Sequence, residues 1–243
     1  MPTAPASATE RPAQPVLRAI SSMATRQLLN ELLAQYAAQG GSTCQLESVG
    51  GVDAAKRVQA GEAFDLVFLA SDALAKLAAA GHVLAASQVN LATSGVALAV
   101  RAGAPKSDIS NGAAVRQAVL GARSISYSTG PSGVALAQLF AAWGIAEEIG
   151  PRIVTAPPGV PVGSLVASGA VELGFQQRSE LIHLEGITLL GDLPPDIQIT
   201  TTFAAAVGLA SPHRSEAAAL LRFLASDAAA AAIRRQGMEP ARA

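Results

Sequence analysis

One cysteine in 243 residues leaves this chain no internal disulfide and no cysteine-based metal cluster. Cys44 lies in an apolar, strand-like run, where a buried and unreactive thiol is the expected state. Aromatic residues make up 4% of the chain, too few for a base-stacking surface. Charged residues are 14%, net charge is −1 and no block of like charge exists, so neither a nucleic-acid nor a membrane-surface partner is expected. His82, His183 and His213 are scattered without metal-ligand spacing, which argues against a zinc site. No Gly-x-Gly-x-x-Gly or Gly-Lys-Ser/Thr turn offers a nucleotide seat, and no Gly-x-Ser-x-Gly elbow offers an acyl-transfer nucleophile. No run of apolar residues is long enough for a membrane span. No cofactor and no metal are expected.

What the chain does have is core: 50% of its residues are hydrophobic, enough for one large or two small domains. Residues 1–16 are rich in Pro, Ala, Ser and Thr and read as a disordered leader. They lack the apolar stretch of a signal peptide, so a cytoplasmic location is expected, or a periplasmic one if the start site is truncated.

Beyond the leader, strand-like and helical patterns alternate, which predicts an α/β fold with mainly parallel sheet. Leu17-Arg18-Ala19-Ile20 leads through Ser21-Ser22-Met23 into a predicted helix over 25–38. Cys44-Gln45-Leu46-Glu47 leads through Ser48-Val49-Gly50-Gly51-Val52 into one over 53–60. Ser124-Ile125-Ser126-Tyr127 leads through Ser128-Thr129-Gly130-Pro131-Ser132-Gly133 into one over 134–143. Strands are also predicted at 64–69, 95–100, 152–154, 170–175, 188–190 and 201–209. A last helix is predicted over 215–236, and Ser71-Asp72 reads as the N-cap of a helix over 73–80. Each small-residue turn would set free backbone N–H groups, hydroxyls and the positive end of a helix dipole at the carboxyl edge of a sheet. That is the chemistry for holding a compact anion.

In order and spacing, these segments resemble the molybdate-binding protein family of type II periplasmic solute-binding proteins. The resemblance runs over about 17–238. Its markers are Ala19-Ile20-Ser21-Ser22-Met23, Ser48-Val49-Gly50-Gly51, Phe64-Asp65-Leu66-Val67-Phe68, Pro131-Ser132-Gly133 and Ser168-Gly169-Ala170-Val171-Glu172-Leu173-Gly174-Phe175. The closing Phe223-Leu224-Ala225-Ser226-Asp227 with Gly237-Met238 completes the set. The resemblance implies two α/β lobes joined by two crossover strands, with a ligand cleft between. Lobe one would be 17–96 plus 203–243, and lobe two 97–202. It also implies that hydroxyls and backbone N–H groups of Ser21 or Ser22, Ser48, Pro131 to Gly133, and Val160 to Val162 hold the anion, while Gly50, Gly51 and Gly133 serve either tight turns or close backbone approach to a ligand.

One position departs from the family. A tyrosine usual after the Gly-Phe strand is replaced by Gln177, whose amide both donates and accepts and suits a ligand with carboxyl or hydroxyl groups. Some proteins resembling this family are aconitate isomerases. Proton chemistry of that kind needs an acid or base, and Glu47, just before the Ser48 turn, and Glu180, just after Gln177, are the candidates. Each also reads as an ordinary solvated carboxylate. Two functions follow as expectations: an isomerase of an unsaturated di- or tricarboxylate, or a non-enzymatic solute-binding protein delivering an oxyanion to an ABC transporter permease.

Overall fold

Alternating apolar residues sort the first strands onto two faces. Strand β1 (Leu17–Ser22) turns Leu17 and Ala19 toward one core and Ile20 toward another, as the period-two geometry of a strand requires. A computed structural model describes residues 14–157 and 160–241. The expected leader lies outside the described residues up to position 13. At Gln14 the chain is already tied down, its amide oxygen accepting from the Ser42 hydroxyl at 2.6 Å.

After β1 a short 3-10 turn leads to α1 (Arg26–Ala38). Two similar units follow: β2 (Cys44–Val49) with α2 (Gly51–Gln59), and β3 (Leu66–Ala70) with α3 (Ser71–Ala79). The long β4 (Val89–Arg101) then carries the chain into a second group of elements. These are α4 (Gly112–Gly121), β5 (Ile125–Tyr127), α5 (Pro131–Ala142), α6 (Ala146–Ile149), α7 (Val162–Ser168), β6 (Leu173–Gln177), α8 (Arg178–Leu181) and β7 (Ile187–Asp192). Strand β8 (Thr200–Val207) returns the chain, and α9 (Arg214–Leu224), α10 (Ala230–Arg235) and β9 (Glu239–Pro240) close it.

The strands form one curled sheet in the order β2-β1-β3-β8-β4-β6-β5, with β7 and β9 also pairing β4. Strands β4 and β8 are the two crossovers. The first half of β4, Val89 to Gly95, pairs antiparallel with β8, and the second half, from Val96, pairs with β6 and β7. Four apolar clusters result. Two cover the faces of β1, β3 and β8 in lobe one, around Phe68 and around Val67. The other two cover the faces of β4's second half and β6 in lobe two, around Phe175 and around Val166. The expected two-lobe α/β architecture is the one observed, but the sheet is mixed and not mainly parallel: β1 pairs β2 and β3, and β5 pairs β6, in parallel, while the pairs made by the crossovers β4 and β8 are antiparallel.

Three local expectations need correcting. The strand predicted at 152–154 is reduced to an isolated bridge between Ile125 and Ile153. The first crossover strand begins six residues earlier than the predicted start at 95, because Asn90, Thr93 and Ser94 pair with β8 despite their polarity. The single helix predicted over 215–236 is broken after Leu224, where Ser226 Oγ donates to the Phe223 carbonyl at 2.7 Å and a 3-10 turn intervenes.

Candidate functional site

The turn after β1 and the turn after β2 lie side by side. Parallel pairing sets Ser21 opposite Ser48, and their hydroxyls are 2.7 Å apart. Gly51 lies beside Ser22, where an added Cβ would make an ordinary contact of 3.5 Å with the Ser22 Cβ. Ser22 makes no cap bond to the helix that follows, and its buried hydroxyl has no partner among the described residues. A buried hydroxyl without a partner carries a desolvation cost that a ligand acceptor would relieve. Beside it, the N-cap of α2 is Gly50, whose carbonyl accepts from the Ala54 N–H at 2.8 Å. The N–H groups of Gly51, Val52 and Asp53 precede that first helical bond and stay free for an anion.

A cavity of about 300 Å³ opens between the lobes. Ser71 and Asp72, in the first turn of α3, form one wall, and Pro131, Ser132 and Ala135 of α5 form the other. Ile199, Thr200, Thr201 and Thr202 form its floor. It has room for about ten waters, more than one small tetrahedral oxyanion needs. Pro131 has no N–H to give, but Ser132 and Gly133 precede the first bond of α5, from Val134 N–H to the Gly130 carbonyl at 3.1 Å. The Ser132 hydroxyl shares a hydrogen bond of 3.1 Å with Ser128.

Gln177 borders the same floor. Its Nε2 donates to Thr201 Oγ1 at 2.9 Å, while its Oε1 is buried without a partner among the described residues. Turning the amide over would let the Thr201 hydroxyl donate to the oxygen and point the NH₂ at a ligand acceptor. The side chain therefore answers a carboxylate in one orientation and a hydroxyl in the other.

Glu180 occupies the first turn after β6. It is half-buried, and one oxygen accepts from Gln176 Nε2 at 2.7 Å. Desolvation pushes its carboxyl up to about 7, against the lowering effect of the Gln176 donation. Next to it, Ser179 Oγ donates to the Ala24 carbonyl at 2.8 Å, a direct bond from lobe two to the turn that follows Ser22. Glu180 is thus held at the junction of the lobes, on the segment that joins Gln177 to the Ser22 turn.

Two expected site residues stand elsewhere. Glu47 is exposed on edge strand β2 and bound by both terminal guanidinium nitrogens of Arg57, Nη2 at 2.9 Å. That pairing holds its carboxyl below the ordinary range, which keeps it a carboxylate and a poor proton acceptor. Arg57 lies in the last turn of α2, roughly 9 Å along the axis from the Gly51 end of the helix. Val160 commits its N–H to the Pro157 carbonyl at 3.0 Å, which removes it as an anion donor. Val162 buries its side chain in the lobe-two core, so only its backbone N–H, in the first turn of α7, is left for a ligand.

Over residues 17–239 the chain matches the family described as bacterial extracellular solute-binding protein. It belongs to that family. A relative in Pseudomonas sp described as aconitate isomerase is 40% identical over 184 residues, which are 76% of this chain and 70% of that protein. Among solved structures, the Azotobacter vinelandii periplasmic molybdate-binding protein superposes with a TM-score of 0.78 at 22% identity, over 93% of this chain and 100% of that one. The sulfate-binding protein SubI from Mycobacterium tuberculosis H37Rv superposes with a TM-score of 0.74 at 17% identity, over 93% of this chain and 86% of that one. These two likenesses establish the type II periplasmic-binding-protein fold. Among the described residues, no helix is long and apolar enough to cross a membrane, and no group of His, Cys, Asp and Glu is placed to hold a metal.

The α5 wall depends on a glycine. A Cβ at Gly133 would overlap the backbone carbonyl oxygen of Ser128, which cannot move without disturbing the turn. Gly133→Ala should therefore destabilise by about 2 kcal/mol, the overlap outweighing alanine's better helix propensity. Thermal denaturation should show Tm lower by roughly 4–8 °C. Gly121→Ala, at a helical glycine with open space around it, should leave Tm unchanged or raise it.

Proposed function

We propose that this protein is an isomerase of an unsaturated di- or tricarboxylate, moving an allylic double bond as between cis- and trans-aconitate. The observation that carries the reading is Glu180, a carboxyl with a proton affinity near neutrality at the junction of a two-lobed anion cleft. The 40% identical relative described as aconitate isomerase supports it.

The reaction asks three things of the residues. Free N–H groups and hydroxyls at the Ser22, Gly51 and Ser132 turns hold the carboxylates, and Gln177 reads the remaining polar group. Glu180, ionised, takes a proton from the methylene carbon next to the double bond, and the pair of electrons spreads over the allylic carbons into a carboxylate. Negative charge that develops there meets donors already in place. The protonated Glu180 then returns its proton to the far allylic carbon, so the double bond has shifted and the base is restored. A group with a proton affinity near neutrality can do both halves without a second acid.

Incubation with cis-aconitate, followed by chromatography for the trans isomer, tests the reading. Conversion that is absent without protein is the expected result. Binding without conversion would leave a solute-binding protein. The specific ground for that second reading is the free N–H groups at the turns, which suit any compact anion, and its partner would be an ABC transporter permease. Ligand stabilisation separates the two. At a hundredfold excess over Kd a ligand adds about 2.7 kcal/mol, so the acid should raise Tm by roughly 5–10 °C. Molybdate giving the larger shift, with aconitate inert, would favour the transport reading.

A further inference from the structure

The geometry points to Gln176 as the positioning residue of the site, a buried amide that fixes Glu180 in one orientation and sets the ease with which it gives up its proton. This rests on Glu180 acting as the base.

Gln176 is 4% exposed and lies on the face of β6 opposite Gln177. Its Oε1 accepts from the Gly163 N–H in the first turn of α7 at 2.9 Å, and its Nε2 donates to Glu180 Oε2 at 2.7 Å. The first bond decides the second. A backbone N–H can only donate, so Oε1 must face α7, and the NH₂ is left to face Glu180. A Cβ at Gly163 would meet Leu184 Cδ2 at 2.5 Å and Leu181 Cδ2 at 2.9 Å but stand 3.6 Å from Gln176 Oε1, so the glycine makes room for those leucines beside the amide. With Oε2 held, Glu180 Oε1 makes no hydrogen bond among the described residues and is not sealed from solvent. One oxygen is anchored and the other is left to meet a substrate C–H.

The amide also counters burial. Desolvation favours the protonated acid, while a donated N–H favours the carboxylate, and this donor keeps Glu180 able to ionise near neutral pH. Charged groups on the neighbouring segments are engaged elsewhere. Arg178 pairs with Asp192 at 2.9 Å, the His183 ring bonds the Arg235 carbonyl, and Glu31 is bound by Arg235. Arg26 opens α1 just beyond Ala24 and makes no ion pair with Glu180. Strand β6 and the Met23–Thr25 turn carry no charge, and β4 carries one only at Arg101, its far end.

The test is a titration of the Glu180 side-chain carboxyl by NMR in protein labelled with ¹³C-glutamate, with Glu180→Gln assigning the signal. Gln176→Met keeps the volume and removes the donor. It should move the Glu180 midpoint upward by about one to two pH units and carry the alkaline rise of kcat/KM with it. The Kd for cis-aconitate should stay unchanged, which separates loss of positioning from loss of the fold. A folded Gln176→Met protein with an unmoved midpoint and pH profile would overturn the proposal. If that variant does not fold, Gln176→Leu likewise removes the donor and adds no second carboxyl beside Glu180. Its midpoint must likewise rise, and an unmoved one would equally overturn the proposal. Wild-type protein that binds aconitate without converting it would sink the isomerase reading alone, since the NMR midpoint still decides what Gln176 does to Glu180.

Discussion

Glu180→Gln should lower the turnover of cis-aconitate by about 10³-fold or more while leaving its Kd nearly unchanged. The amide keeps the volume of the acid and retains an oxygen to accept from Gln176 Nε2, so the junction of the lobes is preserved. It cannot take up a proton from carbon. The substituted residue also carries no negative charge, so a polyanionic ligand is not repelled more than in the wild type. Steady-state kinetics beside calorimetric binding would show the split between kcat and Kd. In the active protein, kcat/KM should rise with pH through about 7, because the base must be ionised before it can act. Glu47→Gln is the contrasting substitution. Its carboxylate is exposed and held by Arg57, so turnover should be unchanged.

The same substitution should make the protein more stable above neutral pH. Folding raises the Glu180 carboxyl from an ordinary 4.5 to about 7, so between those values the native state binds more protons than the unfolded chain. Stability from this group is therefore fully present below about pH 4.5 and is lost as pH rises to about 7. The loss is about 2–3 kcal/mol at pH 8, taken toward the low end because the side chain keeps some contact with water. Glutamine has no such titration. The difference in Tm between Glu180→Gln and wild type should be small at pH 4.5 and grow to roughly 5–10 °C at pH 8. A difference that is flat across pH would mean that Glu180 is not desolvated. A gain in stability on removing Glu180 would be the trade expected of a residue kept for chemistry.

The architecture was legible because it is written in local signals. Small-residue turns after apolar strands sit where helices begin, and the alternation of Leu17, Ala19 and Ile20 between two cores is visible in the order of the residues. The placement of Ser21, Ser22 and Ser48 in one corner was also readable, since it needs only two parallel strands in register. Glu47 shows where adjacency misleads. It neighbours Ser48 in sequence, but neighbours on a strand point to opposite faces, and this one meets Arg57.

What could not be read depends on contacts between distant segments. Asp72 and Ser71 looked like a helix cap, yet they lie in the first turn of α3 and wall a cavity whose other side is sixty residues away in sequence, at Pro131. Thr200, Thr201 and Thr202 line its floor only because β8 recrosses the lobes. Gln176 lies on the face of β6 away from Gln177, as strand alternation requires. The bond to Glu180 that gives it a role arises because the chain leaves the strand for a helix between them. No periodicity spans such a junction.

In the proposed mechanism Glu180 carries a proton between two carbons of an unsaturated acid. The most direct test is incubation of the wild-type protein with cis-aconitate in deuterated water, with the isomers followed by NMR and mass spectrometry. The predicted result is trans-aconitate formed at the enzymatic rate, with deuterium entering the allylic methylene in proportion to exchange at the base, and neither product nor label with Glu180→Gln. Undiminished conversion by Glu180→Gln would contradict the assignment of the base. Stoichiometric binding of aconitate by the wild type, with no conversion and no deuterium at carbon, would contradict the whole account.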